Sequence, residues 1–133
     1  MKVLVATEKP FSKVAVEGIK KIVEEAGYEF AALEKYTSAD ELLKAVADVD
    51  ALIVRSDKVT KDVVNAAKNL KIVVRAGAGF DNLDLAACTE RGIVAMNTPG
   101  QNSNAVAELA ICFMIYMSRN QLTPGTGSEL KGK

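Results

Sequence analysis

The sequence contains no histidine and no tryptophan, and only two of its 133 residues are cysteines, Cys88 and Cys112. Two unpartnered cysteines without histidine do not match the ligand spacing of a zinc site, and they exclude a Ser–His or Cys–His catalytic pair. We therefore expect no metal site and no catalytic residue in this chain. Both cysteines are expected to be small, buried apolar residues in a reducing cytoplasm.

An excess of charge of one sign is also missing, as is a long apolar run. Lys plus Arg and Asp plus Glu each number 17, which argues against nucleic acid or an acidic membrane surface as a partner. The longest apolar run, residues 109–117, is too short to span a bilayer, and the sequence after Met1 does not read as a signal peptide. These features predict a cytoplasmic globular protein.

Short β-branched, apolar runs alternate with segments of helical periodicity over residues 1–100. The predicted strands are 3–6, 28–33, 51–54, 72–74 and 93–96. Strand–helix units in series predict an α/β fold, because parallel strands need helical crossovers. We expect a flavodoxin-like parallel five-stranded sheet of order 2-1-3-4-5, with helices on both faces.

The helices between these strands have recognisable start signals and apolar stripes. Ser38 and Glu41 form a capping box, and Thr60 and Asp84 are expected to cap the third and fourth helices. The first helix, over residues 12–26, is expected to bury one side, formed by Val16, Ile19, Ile22 and Val23.

A last helix, within residues 101–120, differs from the others. Between Ala105 and Met117 only Glu108 is charged, and apolar residues fall on every side. Such a helix needs cover all round, from a second domain or from a second copy of the chain. The alternative is the central helix of one compact domain. Residues 121–133, rich in proline and glycine, are predicted to be a linker.

Two arginines follow neighbouring strands of the predicted sheet. Arg55 and Ser56 come after the third strand, and Arg75 ends the fourth. The carboxyl ends of parallel strands form the ligand edge of such a sheet, so both guanidinium groups are expected there. A phosphate or carboxylate would satisfy both, with help from the main-chain N–H groups of residues 77–79. The alternative is that the arginines pair with Asp57 and Asp81 at the surface.

The Gly77-Ala78-Gly79 sequence does not match a dinucleotide-binding turn. The third glycine of that motif would fall at Asn82, and Asp81 would place a negative charge where a pyrophosphate must lie. The glycines instead allow a close approach to a small ligand, or merely a tight turn.

Three segments carry a resemblance to a known family. Residues 75–84, 92–99 and 102–109 resemble the D-isomer-specific 2-hydroxyacid dehydrogenases, and among them the members that act on 3-phosphoglycerate. The resemblance implies a substrate-binding domain over 1–100, an inter-domain and dimerisation helix over 101–120, and a linker to an NAD-binding Rossmann domain. It also implies a homodimer formed through helix 102–119.

Carried over position by position, the resemblance assigns substrate contacts to both strand ends and to the start of the last helix. The implied substrate-binding residues are Arg55, Ser56, Arg75, Ala76, Gly77, Ala78, Gly79, Asn102 and Ser103. The first three would hold the substrate phosphate, and the 76–79 loop would lie over the carboxylate. Ala78 would also face the nicotinamide, where some relatives have threonine. Asn102 and Ser103 can alternatively cap the helix.

The resemblance implies an activity that this chain does not complete. The implied reaction is NAD-dependent oxidation of 3-phosphoglycerate to 3-phosphohydroxypyruvate, which leads into serine synthesis, with glycerate or D-lactate as alternative substrates. The catalytic arginine, glutamate and histidine of the family follow the segment that matches 130–133. We therefore expect the chain alone to be inactive and to bind no NAD tightly. A non-catalytic anion-binding or dimerisation module is the alternative from another functional class.

Overall fold

The computed structural model describes residues 1–119, in two compact units. The first unit is Met1–Pro99, and the second begins at Gly100. The predicted linker, 121–133, lies outside the described residues. Among residues 1–119, none of the helices combines the length and apolar character needed to cross a membrane.

The first unit alternates strands with helices along residues 1–99. Its elements are β1 (Lys2–Thr7), α1 (Lys13–Glu25), β2 (Glu29–Glu34), α2 (Ala39–Ala45), β3 (Ala51–Val54), α3 (Lys61–Ala66), β4 (Ile72–Arg75), α4 (Leu85–Glu90) and β5 (Val94–Asn97). The second unit contributes α5 (Ser103–Ser118).

The five strands form one parallel sheet of order β2-β1-β3-β4-β5, which confirms the predicted topology. The strands are in a register that brings their last residues side by side. Ala6 pairs with Val54, Val54 with Arg75, and Arg75 with Asn97. The loops that leave β1, β3, β4 and β5 therefore start from one edge of the sheet.

The main core lies between one face of the sheet and helices α2, α3 and α4. Alternate strand residues, among them Leu52, Val54 and Val73, are buried there with helix residues such as Val46 and Val64. Strand side chains alternate between faces, so this burial fixes which face each strand residue occupies. The core therefore anchors β3 and β4, whose ends carry the two arginines.

The opposite face of the sheet is covered less completely. Val3 and Val5 of β1 and Val23 of α1 are buried. Ile22 of α1 is 68% exposed, so its predicted burial is wrong. Met96 of β5 is 51% exposed. The apolar composition of the strands thus overestimates how far the second face is buried within the described residues.

The predicted helix caps are partly confirmed. Glu41 Oε1 accepts a hydrogen bond from the Ser38 main-chain N–H at 3.2 Å, and the capping box is present. Asp84 Oδ1 accepts from the Ala87 N–H at 2.9 Å. Thr60 makes no side-chain cap hydrogen bond, so its predicted role is wrong.

Helix α5 exposes large apolar side chains, among them Val106, Ile111, Phe113, Met114 and Met117. Cys112 on this helix is exposed, which corrects the prediction that both cysteines are buried, whereas Cys88 of α4 is buried as predicted. Cys88 is buried because it belongs to the core between α4 and the sheet.

Candidate functional site

The candidate site begins at the carboxyl ends of β3 and β4. Arg55 and Ser56 follow the last residue of β3 and are exposed, and Arg75 is the last residue of β4. Because Val54 pairs with Arg75 in the sheet, both arginines leave the same edge. The sequence predicted this placement from the strand boundaries alone.

The two arginines are linked through the main chain. Nε of Arg75 donates to the carbonyl oxygen of Arg55 at 2.9 Å. No carboxylate within residues 1–119 lies at ion-pair distance from either guanidinium group. The alternative prediction, that they pair with Asp57 and Asp81, is therefore not observed in this part of the chain. Neither guanidinium group is therefore neutralised by a carboxylate within residues 1–119.

Gly77 makes room for the Arg75 side chain. Its φ of +154° is unfavourable for residues with a side chain, and a Cβ atom here would overlap Nη1 of Arg75. Gly79 differs, because a Cβ there would meet only Asp81 Oδ1, at 3.2 Å. The first glycine of the Gly-Ala-Gly loop is thus required for the position of the guanidinium group.

The 76–79 loop is fixed by hydrogen bonds to its neighbours. The Ala76 N–H donates to the Val54 carbonyl at 2.8 Å, and the Thr98 N–H donates to the Gly77 carbonyl at 2.9 Å. From the end of β5, Asn97 Nδ2 donates to the Ala78 carbonyl at 2.7 Å. The loop is therefore held from both β3 and β5.

These bonds limit which amides could bind an anion. The Gly77 N–H donates to the Arg75 carbonyl at 2.9 Å, so it is already used. Within residues 1–119, no hydrogen bond from the Ala78 or Gly79 N–H is present. The predicted concavity over 77–79 is thus reduced to two available amides.

Asp57 is a buried carboxylate beside the arginines, and its partners differ from those of the alternative prediction. Asp57 is only 5% exposed, and its Oδ1 accepts from Tyr36 Oη at 2.8 Å and from the Glu8 N–H at 2.7 Å. Its Oδ2 accepts from the main-chain N–H of Arg55 at 3.3 Å. The carbonyl oxygen of Asp57 accepts from Asn82 Nδ2 at 2.8 Å.

Tyr36 is the other residue of this group that sequence reasoning missed. Burial, followed by the hydrogen bond to the Asp57 carboxylate, raises the pKa of the Tyr36 phenol well above its ordinary value. A cleft of about 460 Å³ lies beside the pair and is also lined by Glu8, Ser56 and Lys58. An isolated tyrosine after a strand gives no sequence signal for this contact.

Asn102 and Ser103, the remaining predicted site residues, belong to the second unit. Asn102 stands at the N-terminus of α5 and makes no side-chain cap hydrogen bond. Ser103 Oγ donates to the carbonyl oxygen of Gly100 at 2.8 Å. The amide of Asn102 is therefore not used to cap its own helix.

The sequence from the first strand to beyond α5 matches a family model. The model describes the D-isomer specific 2-hydroxyacid dehydrogenase catalytic domain, and it matches residues 4–128. The chain belongs to this family. Its site loops, built on β3, β4 and β5, lie within the matched segment.

Curated relatives of this family member include enzymes with two different names. A D-3-phosphoglycerate dehydrogenase of Sus scrofa is 50% identical over 97 residues, which are 72% of this chain and 18% of that protein. A hydroxypyruvate reductase of Thermotoga maritima is 45% identical over 100 residues, or 74% of this chain and 32% of that protein. The chain thus spans about a fifth to a third of the curated relatives that it matches.

A solved structure is similar over most of the chain. NAD⁺-bound 3-phosphoglycerate dehydrogenase of Entamoeba histolytica has a TM-score of 0.89 and 50% identity, and the match covers 98% of this chain and 43% of that one. An NAD-bound formate dehydrogenase of Staphylococcus aureus has a TM-score of 0.77 and 30% identity, covering 90% and 39%.

Proposed function

We propose that this chain is the substrate-binding portion of an NAD-dependent dehydrogenase that oxidises 3-phosphoglycerate to 3-phosphohydroxypyruvate for serine synthesis. Family membership supports the reaction class, and the similarity to proteins named 3-phosphoglycerate dehydrogenase supports the substrate. The observation that carries the proposal is the pair of arginines at adjacent strand ends, neither of them engaged by a carboxylate within residues 1–119.

The phosphate is the group of this substrate that the arginines suit. Guanidinium groups bind phosphate oxygens through two parallel hydrogen bonds. Nε of Arg75 is occupied by the Arg55 carbonyl, which leaves the outer nitrogens of Arg75 to meet a ligand. The hydroxyl of Ser56, next along the chain from Arg55, would add a further donor.

The carboxylate of the substrate has a separate partner in this proposal. The N–H groups of Ala78 and Gly79 make no hydrogen bond within residues 1–119, and adjacent amides of a turn can bind an anion. Ala76 and Gly77 would keep this turn in position through their hydrogen bonds to Val54 of β3 and to Thr98 after β5. Asn102 and Ser103 are proposed to contribute from the start of α5.

The residues of this chain do not fit NAD as a binding site of their own. Dinucleotides are held by a glycine-rich turn after a first strand, whereas β1 is followed by Glu8, Lys9 and Pro10. Ala78, the residue implied to face the nicotinamide, offers a methyl group and no side-chain hydrogen bond. We propose that NAD is held by another part of the enzyme.

A substrate without phosphate is the second candidate. The hydroxypyruvate reductase of Thermotoga maritima is 45% identical over 100 residues, so relatives with different substrate names share this domain. Glycerate or D-lactate would use the turn amides and would leave the two arginines without a ligand group.

The exposed apolar side chains of α5 support a homodimer as the form of the protein. Ile111, Ile115 and Tyr116 line one side of this helix, and a second copy of the helix would remove them from water. Sedimentation of the chain against an Ile111→Glu variant tests this point. Dissociation by Ile111→Glu, with no effect of Val14→Lys on exposed α1, is the expected result.

The phosphate proposal is tested by comparing two ligands on an arginine variant. Arg75→Met should weaken binding of 3-phosphoglycerate by at least about tenfold and leave binding of D-glycerate nearly unchanged, since only the former has a phosphate. Lys44→Met, which removes a surface cation from α2, is the matched control. Equal weakening of both ligands would contradict a phosphate contact, and no weakening of either would favour surface arginines.

A further inference from the structure

We infer that Asp57 is a positioning residue of the substrate edge, by which we mean the carboxyl ends of the strands and the loops that follow them. It holds the chain segment that carries Arg55 and the neighbouring loops. The inference rests on the proposed function for its ligand but not for its geometry. Asp57 itself faces the interior, since it is only 5% exposed, so it acts through the groups that it holds.

Both carboxylate oxygens of Asp57 are engaged by donors from different segments. Oδ1 accepts from the Tyr36 hydroxyl, which follows β2, and from the Glu8 N–H, which follows β1. Oδ2 accepts from the main-chain N–H of Arg55, which follows β3. One side chain therefore connects the loops after three adjacent strands of the sheet.

The main chain of Asp57 extends this connection to the loop after β4. Its carbonyl oxygen accepts from Asn82 Nδ2, and Val59 two residues later exchanges main-chain hydrogen bonds with that loop. The loop over 76–83 follows Arg75 and begins with the turn proposed to bind the carboxylate. Asp57 is thus hydrogen-bonded both to Arg55 and to the loop that contains the proposed carboxylate turn.

The chemistry of the site requires a carboxylate rather than an amide. A carboxylate accepts on both oxygens, whereas asparagine has one accepting oxygen and one donating nitrogen. In Asp57→Asn, the amide nitrogen must face the N–H of either Glu8 or Arg55, donor against donor. Whichever way the amide turns, at least one segment is released from the edge.

A matched control is present at the amino ends of the strands of the same sheet. Asp50 accepts from the Lys2 main-chain N–H at 2.8 Å and from Lys71 Nζ at 3.1 Å. Asp50→Asn therefore also disturbs a carboxylate that holds an amide of β1, but far along the strand from the substrate edge. A loss of general stability would affect both variants, and a loss of positioning only Asp57→Asn.

The experiment measures two quantities on the chain and its variants: amide hydrogen exchange, and the Kd for 3-phosphoglycerate by NMR titration. Asp57→Asn should speed exchange by at least about tenfold at one or both of the Glu8 and Arg55 amides and raise the Kd by about tenfold. Asp50→Asn should change neither. Tyr36→Phe, which removes one of the three donors and keeps the carboxylate, should give a smaller change in the same direction.

The outcomes separate this inference from the proposed function. If the unmodified chain binds 3-phosphoglycerate and Asp57→Asn weakens it no more than Asp50→Asn does, the inference is wrong. If the unmodified chain does not bind, the proposed function fails, and exchange at Glu8 and Arg55 still decides whether Asp57 holds this edge. Should Asp57→Asn not fold, Tyr36→Phe decides it: unchanged exchange at Glu8 and unchanged Kd contradict the inference.

Discussion

At the scale of single residues, the position of Arg75 depends on a glycine two residues later. The Arg75 side chain occupies the space that a Cβ atom of Gly77 would need, while its Nε holds the Arg55 carbonyl. The Arg75 guanidinium group can therefore occupy this position only because Gly77 has no side chain. This dependence links the Gly-Ala-Gly loop to the guanidinium group instead of to a dinucleotide.

Gly77→Ala should consequently displace the Arg75 guanidinium group and strain the loop. We expect a destabilisation of about 1–3 kcal/mol and at least a tenfold loss of affinity for 3-phosphoglycerate. Urea unfolding and ligand titration measure the two effects. Gly18→Ala in α1 is the control, because nothing lies within 4 Å of its added Cβ. Equal effects of both substitutions would contradict the role given to Gly77.

The Tyr36 phenol predicts a dependence of stability on alkaline pH. Its pKa in the folded protein is raised above the ordinary value of about 10, so folding retains a proton that the unfolded chain loses. The stabilisation is complete below about pH 10 and is lost as the pH rises through the higher folded pKa. The free energy of unfolding of the wild type should exceed that of Tyr36→Phe by about 1–2 kcal/mol at neutral pH, and this difference should shrink above about pH 10.

Urea unfolding of both proteins across this pH range measures the difference. A gap between wild type and Tyr36→Phe that stays constant, or widens, above about pH 10 would show that the phenol is not held protonated in the fold.

The residues of the site divide into those that local pattern predicts and those that it does not. Arg55 and Arg75 follow apolar strands, so their position at one edge is readable from the sequence. The pairing of Asp57 is not, because its donors Tyr36 and Glu8 are 21 and 49 residues away and give no local signal. Sequence proximity suggested the Arg55 side chain instead, and the structure places the Arg55 main chain there.

At the scale of elements, one side chain closes the C-terminus of α3. Arg91, at the end of α4, donates through Nη1 to the carbonyls of Val64 and Ala67 and through Nη2 to that of Lys68. The Ala67 carbonyl also accepts from the Leu70 N–H at 3.3 Å, whereas the Val64 and Lys68 carbonyls have no main-chain donor within residues 1–119. A cation near a helix C-terminus is favourable. Arg91 therefore fastens two helices of the covered face to each other.

Arg91→Met should lower the free energy of unfolding by about 2 kcal/mol, because it removes charged donors from several carbonyls. Lys61→Met is the matched control: it breaks the exposed Lys61–Glu90 ion pair between the same two helices and should cost less than about 1 kcal/mol. Thermal and urea denaturation test both. Arg91→Met no more destabilising than Lys61→Met would contradict the capping role.

The elements themselves were largely predictable from periodicity and caps. Five strands, four crossover helices and their order follow from apolar runs and from signals such as Ser38 with Glu41. The burial of individual faces was harder to predict than the elements, as the exposed side chains of Ile22 and Met96 show. An apolar stripe indicates which side of a helix or strand can be buried, but not whether another element covers that side. Thr60 likewise is of a residue type that caps helices and stands at the N-cap position of α3, but its side chain makes no cap hydrogen bond.

At the scale of the whole molecule, we propose that this chain binds the substrate and that the reaction needs groups from another part of the enzyme. The chain has no histidine to act as a base, and the turn after β1 does not fit a dinucleotide. The purified 133-residue chain should therefore give no NAD reduction with 3-phosphoglycerate above a buffer control, measured by NADH absorbance. Turnover that persists through further purification would contradict the division of labour proposed here.

The most direct test of the proposed phosphate contact is an amide NMR titration of the chain with 3-phosphoglycerate and, separately, with D-lactate. The predicted result with 3-phosphoglycerate is a set of saturating shifts confined to residues 55–56 and 75–79. With D-lactate, which has a carboxylate but no phosphate, residues 55, 56 and 75 should not shift. In a folded sample, the absence of shifts at these residues with 3-phosphoglycerate, or the same shifts with both ligands, would contradict a phosphate-binding substrate edge.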